Sequence, residues 1–226
     1  MPSLPTPGPM TPDLFDDEPV EAAAPERLGP GTLLLRAAAR AQAAALLEAV
    51  DTVSTAAPWR HMCTPGGRRL SVAMSNCGTL GWTSDRHGYR YTRQDPQTGR
   101  PWPAMPAIFL SLARTAARQA GHADFEPDAC LINLYTPGTR LGLHQDRDER
   151  DLDAPIVSVS LGVPAVFLFG GLQRSDPVTR LVLGDGDVLV WGGPDRLRHH
   201  GIAPLKQACH ARLGACRINL TLRRAG

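Results

Sequence analysis

The last alternating stretch of the chain, Arg217 to Arg223, constrains the fold more than any other segment. Arg217, Asn219, Thr221 and Arg223 recur at every second position, with Ile218, Leu220 and Leu222 between them. Successive side chains of a strand point to opposite faces. The segment therefore reads as a strand with one apolar face and one polar face carrying two guanidiniums. Inside a β cavity, two buried cations are costly unless an anion balances them. A small dicarboxylate would satisfy both, because the guanidinium fork matches a carboxylate bidentately. The competing reading is an edge strand whose Arg, Asn and Thr side chains face water.

What precedes this strand repeats its character. Leu131 to Tyr135 reads as a strand ended by Pro137-Gly138, and Leu141 and Leu143 alternate with Gly142 and His144. Val157, Val159, Leu161 and Val163 alternate with Ser158, Ser160 and Gly162, and Val166 to Phe169 is wholly apolar. Leu181-Val182-Leu183, a Gly-Asp-Gly turn and Val188 to Trp191 read as a hairpin. Upstream, Thr32 to Leu35 suggests a short strand and Ala37 to Val50 a helix. A second helix follows Pro106, keeps its spacing through Ile108, Leu112 and Ala116, and stops at Gly121. Short, closely spaced strands after two helices indicate an antiparallel sandwich or barrel. Gly and Pro supply 22 and 21 of 226 residues, which suits many turns and argues against a helical bundle.

The charge is unevenly placed. Residues 1–26 hold six acids and no Lys or Arg, so the remaining chain carries 24 − 16 = +8. Residues 1–28 read as a flexible, acidic, Pro-rich tail, and 29–226 as a single domain. Between Pro58 and Pro103, seven Arg face two acids and are interleaved with Trp59, Trp82, Tyr89, Tyr91 and Trp102. Cations for phosphates and aromatic faces for bases suit nucleic acid. No uncharged apolar run approaches membrane-spanning length, and no signal peptide is evident. Five cysteines without a C-x-x-C pair are neither a disulfide framework nor a thiolate zinc site, so a reducing cytoplasm is expected. The expected state is a monomer.

His144-Gln145-Asp146 places an imidazole and a carboxylate two residues apart, on one face if the strand continues. Two histidines and one carboxylate suit non-haem Fe(II) with open positions. His122-Ala123-Asp124 has the same spacing but follows a helix stop with no alternation, and reads as a loop. The second histidine must be His61, His87, His122, His199, His200 or His210; strand parity does not choose between the adjacent His199 and His200.

At these residues the chain resembles the AlkB family of Fe(II)- and 2-oxoglutarate-dependent nucleic-acid dealkylases. The resemblance runs from about Asp13 to Arg224. It is carried by Thr64-Pro-Gly-Gly, Ser71 to Gly78, Leu80-Gly-Trp-Thr, Asp95-Pro-Gln-Thr, Pro101 to Pro106, Asp128 to Asn133, His144 to Asp151, Trp191-Gly-Gly and the Arg217-x-Asn-x-Thr-x-Arg strand. It implies a mainly β fold with flanking helices: a double-stranded β-helix (jelly-roll) core over 128–225 under a nucleotide-recognition lid over 58–103. It implies His144, Asp146 and His200 as iron ligands, since the family's second histidine directly precedes Gly; His199 stands where close relatives tend to have an aromatic. The 2-oxoglutarate contacts fall on Asn133, Tyr135, Arg217, Asn219, Thr221 and Arg223, with the far carboxylate on Arg217 and Arg223 near the chelating end. Substrate contacts fall on Trp82, Tyr89, Arg90, Tyr91, Asp148 and Arg174. The implied reaction consumes O2 and 2-oxoglutarate, hydroxylates an N-methyl group of 1-methyladenine or 3-methylcytosine, and releases formaldehyde, succinate and CO2. The implied partner is alkylated single-stranded DNA, with duplex DNA or RNA as further substrates, because a target base must leave the stack. Two other readings compete: a 2-oxoglutarate oxygenase acting on a small molecule or protein side chain, and a non-catalytic nucleic-acid-binding jelly roll.

Overall fold

The computed structural model describes residues 24–226. In chain order its strands are β1 (Glu26–Gly29), β2 (Thr32–Leu35), β3 (Ala73–Gly78), β4 (Gly81–Asp85), β5 (Gly88–Thr92), β6 (Ala129–Tyr135), β7 (Leu141–His144), β8 (Ile156–Gly162), β9 (Ala165–Phe169), β10 (Thr179–Leu183), β11 (Val188–Trp191), β12 (His200–Ile202) and β13 (Arg217–Arg223). The helices are α1 (Ala43–Ala56) and α2 (Ala107–Gln119). A seven-stranded sheet has the order β1-β2-β11-β8-β13-β6-β3, and a four-stranded sheet the order β10-β9-β12-β7. The two-stranded β4–β5 hairpin stands apart from both. Two facing antiparallel sheets with helices on one side make the expected mainly β jelly roll.

Strand alternation explains the layering. Val157, Val159 and Leu161 of β8 and Ile218, Leu220 and Leu222 of β13 join Leu46, Val50, Phe109 and Leu112 of the helices in one apolar core. The opposite face of the large sheet sends Leu131, Tyr135, Ile156 and Trp191 toward Phe167 and Phe169 of the small sheet. Fully burying one such side chain contributes about 1.5–3 kcal/mol, so these two cores fix the register of every strand between them. β13 pairs with β6 on one side and β8 on the other, and all seven of its residues are buried. The edge-strand alternative is thereby excluded, and the polar face of β13 looks into the space between the sheets.

Four expectations are corrected. The helix expected from Ala37 starts at Ala43. The Asp187 carboxylate accepts a hydrogen bond from Ala37 N at 2.9 Å, and Gly186 O accepts one from Ala39 N; these contacts hold residues 37–39 in turns. The expected hairpin of β10 and β11 does not form: β10 pairs with β9 in the small sheet, and β11 with β2 and β8 in the large one. The Gly-Asp-Gly turn switches sheets, with Asp185 accepting from Gly162 N at 2.7 Å. The tail expected over 1–28 ends earlier, because β1 pairs with β2 from Glu26; residues 1–23 lie outside the described residues. Nor do residues 58–103 stand apart from the core, since β3 lies beside β6 at the edge of the large sheet. Within this expected lid, the β4–β5 hairpin is the part that joins neither of the larger sheets. Its base is fixed by the part-buried Arg60–Asp95 ion pair and by Trp102, which packs so closely on Gly81 that a Cβ there would lie 2.4 Å from the indole. Among the described residues no helix is long and apolar enough to cross a membrane.

Candidate active site

A cavity of about 600 Å³ opens between the sheets beneath the β4–β5 hairpin. His144 ends β7 and His200 begins β12, and the two are directly opposed in register. The strands approach closely here, because a Cβ on Gly201 would lie 2.7 Å from Leu141 O. The rings of His144 and His200 are 4.5 Å apart between centroids. Asp146 lies two residues beyond the end of β7, and its carboxylate faces both histidines. His144 Nε2 is 3.6 Å from Asp146 Oδ1, and His200 Nε2 is 3.7 Å from Asp146 Oδ2. One ligand atom from each residue lies within 4.8 Å of the others.

The donor set suits a divalent cation. His144 Nδ1 lies 2.8 Å from Gly142 O, and His200 Nδ1 3.1 Å from Arg198 O. A carbonyl partner places the proton on Nδ1 and leaves each Nε2 lone pair aimed at the centre. Burial, reinforced by His144, pushes His200 down to about 4, so it is a neutral ligand at ordinary pH. Burial alone would raise the Asp146 pKa, but Arg223, His200 and His144 outweigh it and hold the carboxyl ionised. Phe167 and Trp191 box the His200 ring at 5.9 and 5.0 Å. His199 also lines the cavity but stands outside the ligand cluster, with Nδ1 near Gly171 O at 3.3 Å. His122 packs against Gly192, away from the cluster, as its loop reading implies.

The two arginines of β13 differ. Arg223 donates through Nε to Asp146 Oδ2 at 2.8 Å and lies 3.4 Å from Glu149. It also lines the cavity, where the expectation placed it near the chelating end of the cosubstrate. Arg217 is 1% exposed, and among the described residues its guanidinium makes one hydrogen bond, from Nη2 to Ser160 Oγ at 3.0 Å. Its Nε and Nη1 have no partner among them. Tyr135 lies under the guanidinium at 5.1 Å, and burial pushes this phenol up to about 12, so it stays neutral and supplies no counter-charge. A buried cation with two orphan donors, among groups lining the cavity, fits the distal carboxylate of a dicarboxylic acid. The Asn133 side-chain oxygen is likewise unpartnered. Asn219 and Thr221 satisfy each other: Thr221 Oγ1 donates to Asn219 Oδ1, and Asn219 Nδ2 donates to Ser158 and Val159.

The lid brings most of the expected substrate residues to the rim. Trp82 and Tyr89 stack at 5.7 Å and 13°, and Trp82 Nε1 donates to Asp148 at 2.9 Å. Tyr91 donates to Glu149 at 2.6 Å, and Arg174 donates to Leu143 O at 2.8 Å. Arg90 is the exception: it pairs with Asp85 and does not line the cavity. Sequence reasoning missed Glu149 and Arg196. Arg196, 2% exposed, binds Asp146 O at 2.7 Å and Glu149 Oε2 at 3.1 Å, closing a network from Tyr91 to the metal site. The acidic run around Asp148 hinted at Glu149; Arg196 lies in no pattern that could have marked it.

A family model of the 2OG-Fe(II) oxygenase superfamily matches residues 31–223. The chain is 58% identical to the alpha-ketoglutarate-dependent dioxygenase AlkB of Salmonella typhimurium strain LT2, over 94% of this chain and 97% of that one. The chain belongs to the AlkB family of 2OG-Fe(II) oxygenases. AlkB of Escherichia coli strain K12 is 56% identical over 95% of this chain and 98% of its own. The solved structure of OsALKBH1 superposes with a TM-score of 0.76 at 28% identity, covering 88% of this chain and 99% of that one. This AlkB-family enzyme thus uses Fe(II), 2-oxoglutarate and O2, and its donor set fits them: His144, Asp146 and His200 for the metal, Arg217 for the far carboxylate.

Proposed function

We propose that this oxygenase repairs alkylated nucleic acid by oxidative demethylation of 1-methyladenine and 3-methylcytosine, acting first on single-stranded DNA as a monomer in a reducing cytoplasm. The carrying observation is the lid: a stacked Trp82–Tyr89 pair with Asp148 bonded to the Trp82 indole, above the His144, Asp146 and His200 cluster. An aromatic face stacks a flipped base for about 1–3 kcal/mol, and a carboxylate beside it favours the cationic methylated forms over neutral bases. Bound iron and 2-oxoglutarate supply the oxidation that hydroxylates the N-methyl group. The protein's own part is to orient the base, shed its water and hold Asp146 ionised. The hydroxylated methyl then leaves as formaldehyde and frees the base. The five cysteines are all free thiols, which suits a reducing compartment.

The test is anaerobic loading with Fe(II) and 2-oxoglutarate, then air, with paired methylated and unmethylated oligonucleotides. Succinate and formaldehyde in equal amounts, with the methylated strand alone, are expected. Succinate without formaldehyde from any oligonucleotide would move the substrate to a small molecule or protein side chain.

A further inference from the structure

A second groove, of about 370 Å³, adjoins the main cavity and shares Tyr89, Tyr91 and Asp148 with it. Its other charged side chains are Arg90, Arg93 and Arg150, and Leu80, Ala225 and Gly226 complete the wall. Resting on the function proposed above, we infer that this groove carries the sugar-phosphate backbone next to the base held in the cavity, with Arg93 and Arg150 as its phosphate partners.

Three observations carry this. The first is continuity: a strand that places one base in the cavity must leave it, and the shared residues make the groove a direct exit. The second is charge. Arg90 is already held by both Asp85 oxygens, at 2.9 and 2.7 Å, so it lines the wall as a neutralised pair. The Asp148 carboxylate is turned to the Trp82 indole. Among the described residues the guanidiniums of Arg93 and Arg150 have neither a hydrogen bond nor an ion pair, and the nearby Asp151 is taken by Arg224. The third is anchoring. Arg93 follows Thr92, whose carbonyl accepts from Trp102 Nε1 at 2.9 Å, and precedes Gln94, bridged to Pro101. Arg150 N donates to Ala225 O at 3.1 Å. Both side chains therefore leave fixed backbone on separate elements. Two separated cations with a stackable Tyr89 ring, 47% exposed, between groove and cavity suit a chain of phosphates and bases rather than a single small anion.

Each phosphate contact releases counterions, which steepens the salt dependence of single-strand binding by about 0.7 in log–log slope. The experiment measures anisotropy of a labelled single-stranded oligonucleotide carrying one 3-methylcytosine, with the full-length, iron- and 2-oxoglutarate-loaded enzyme under argon. Arg93→Gln and Arg150→Gln are each expected to flatten the slope by about 0.7. The double variant then loses about sevenfold less affinity than wild type between 50 and 200 mM salt. KM for the oligonucleotide rises while kcat holds. Arg118→Gln, which removes the same charge from α2, should leave the slope unchanged. Succinate formation without oligonucleotide reports an intact iron site in every variant. If wild type demethylates the strand but both variants keep its slope, or Arg118→Gln flattens it equally, the groove assignment is overturned and the function stands. If wild type neither binds nor demethylates the strand, the function itself fails.

Discussion

The two ends of β13 carry the same side chain in the same depth of burial and use it in opposite ways. At the Arg223 end, Asp146 and Glu149 compensate the cation within the protein. At the Arg217 end, among the described residues, no carboxylate is in contact and two donors go unpaired. Burial lowers the affinity of Arg217 for its proton, whereas at Arg223 the carboxylates outweigh burial and raise it. A buried cation with carboxylate partners is compensated by the protein itself, whereas one without them is suited to an anionic ligand. The first end adjoins the His144, Asp146 and His200 cluster, and the second offers two donors that fit a carboxylate.

Cutting the compensated end should have the largest effect. Asp146→Ala removes a metal ligand and leaves Arg223 short of its main partner, and breaking a buried pair costs about 3–5 kcal/mol. Urea unfolding should show that loss, and Fe(II) titration should show no binding. Arg217→Met should do the reverse to the free protein. It removes an uncompensated buried charge, so the cosubstrate-free fold holds or gains stability, while KM for 2-oxoglutarate rises at least about 100-fold, equivalent to about 2.7 kcal/mol. Should Arg217→Met and Arg223→Met destabilise the free fold alike, the contrast between the ends fails. Cosubstrate gives a matched readout: at 100 times its Kd it should stabilise wild type by about 2.7 kcal/mol. The same 2-oxoglutarate concentration should stabilise Arg217→Met by no more than about 0.4 kcal/mol.

Acid should act at the compensated end. The His200 pKa falls from 6.5 in the unfolded chain to about 4 in the fold. The unfolded chain therefore binds more protons between those values, and stability is lost as pH falls through this window. The loss is about 2 kcal/mol at pH 5 relative to pH 7, readable as a drop in urea midpoint of the metal-free protein. The smallest effect is expected between the two ends. Thr221→Val deletes the bond to Asn219 and should lower the urea-unfolding free energy by about 1 kcal/mol.

Much of the site was legible because strand alternation is a local rule. It set Arg217, Asn219, Thr221 and Arg223 on one face and marked His144-x-Asp146, and the resemblance chose His200 over His199. Other features depended on partners distant in the chain. The helix after Leu35 starts late because Asp187 and Gly186 hold residues 37–39. The Gly-Asp-Gly turn looks like a hairpin locally, yet β9 and β2 claim its two strands for different sheets. Arg90 stood beside the lid aromatics in sequence, but Asp85 five residues away withdrew it.

Alternation, turn residues and charge spacing thus determined the strands, their faces and the chemistry gathered in the C-terminal half, because each depends on neighbours along the backbone. Only the tertiary structure decided which arginine is already neutralised and which is left bare. A guanidinium's role depends on the carboxylates that packing brings within a few ångströms of it, and nothing in the local pattern around Arg217 and Arg223 distinguishes them.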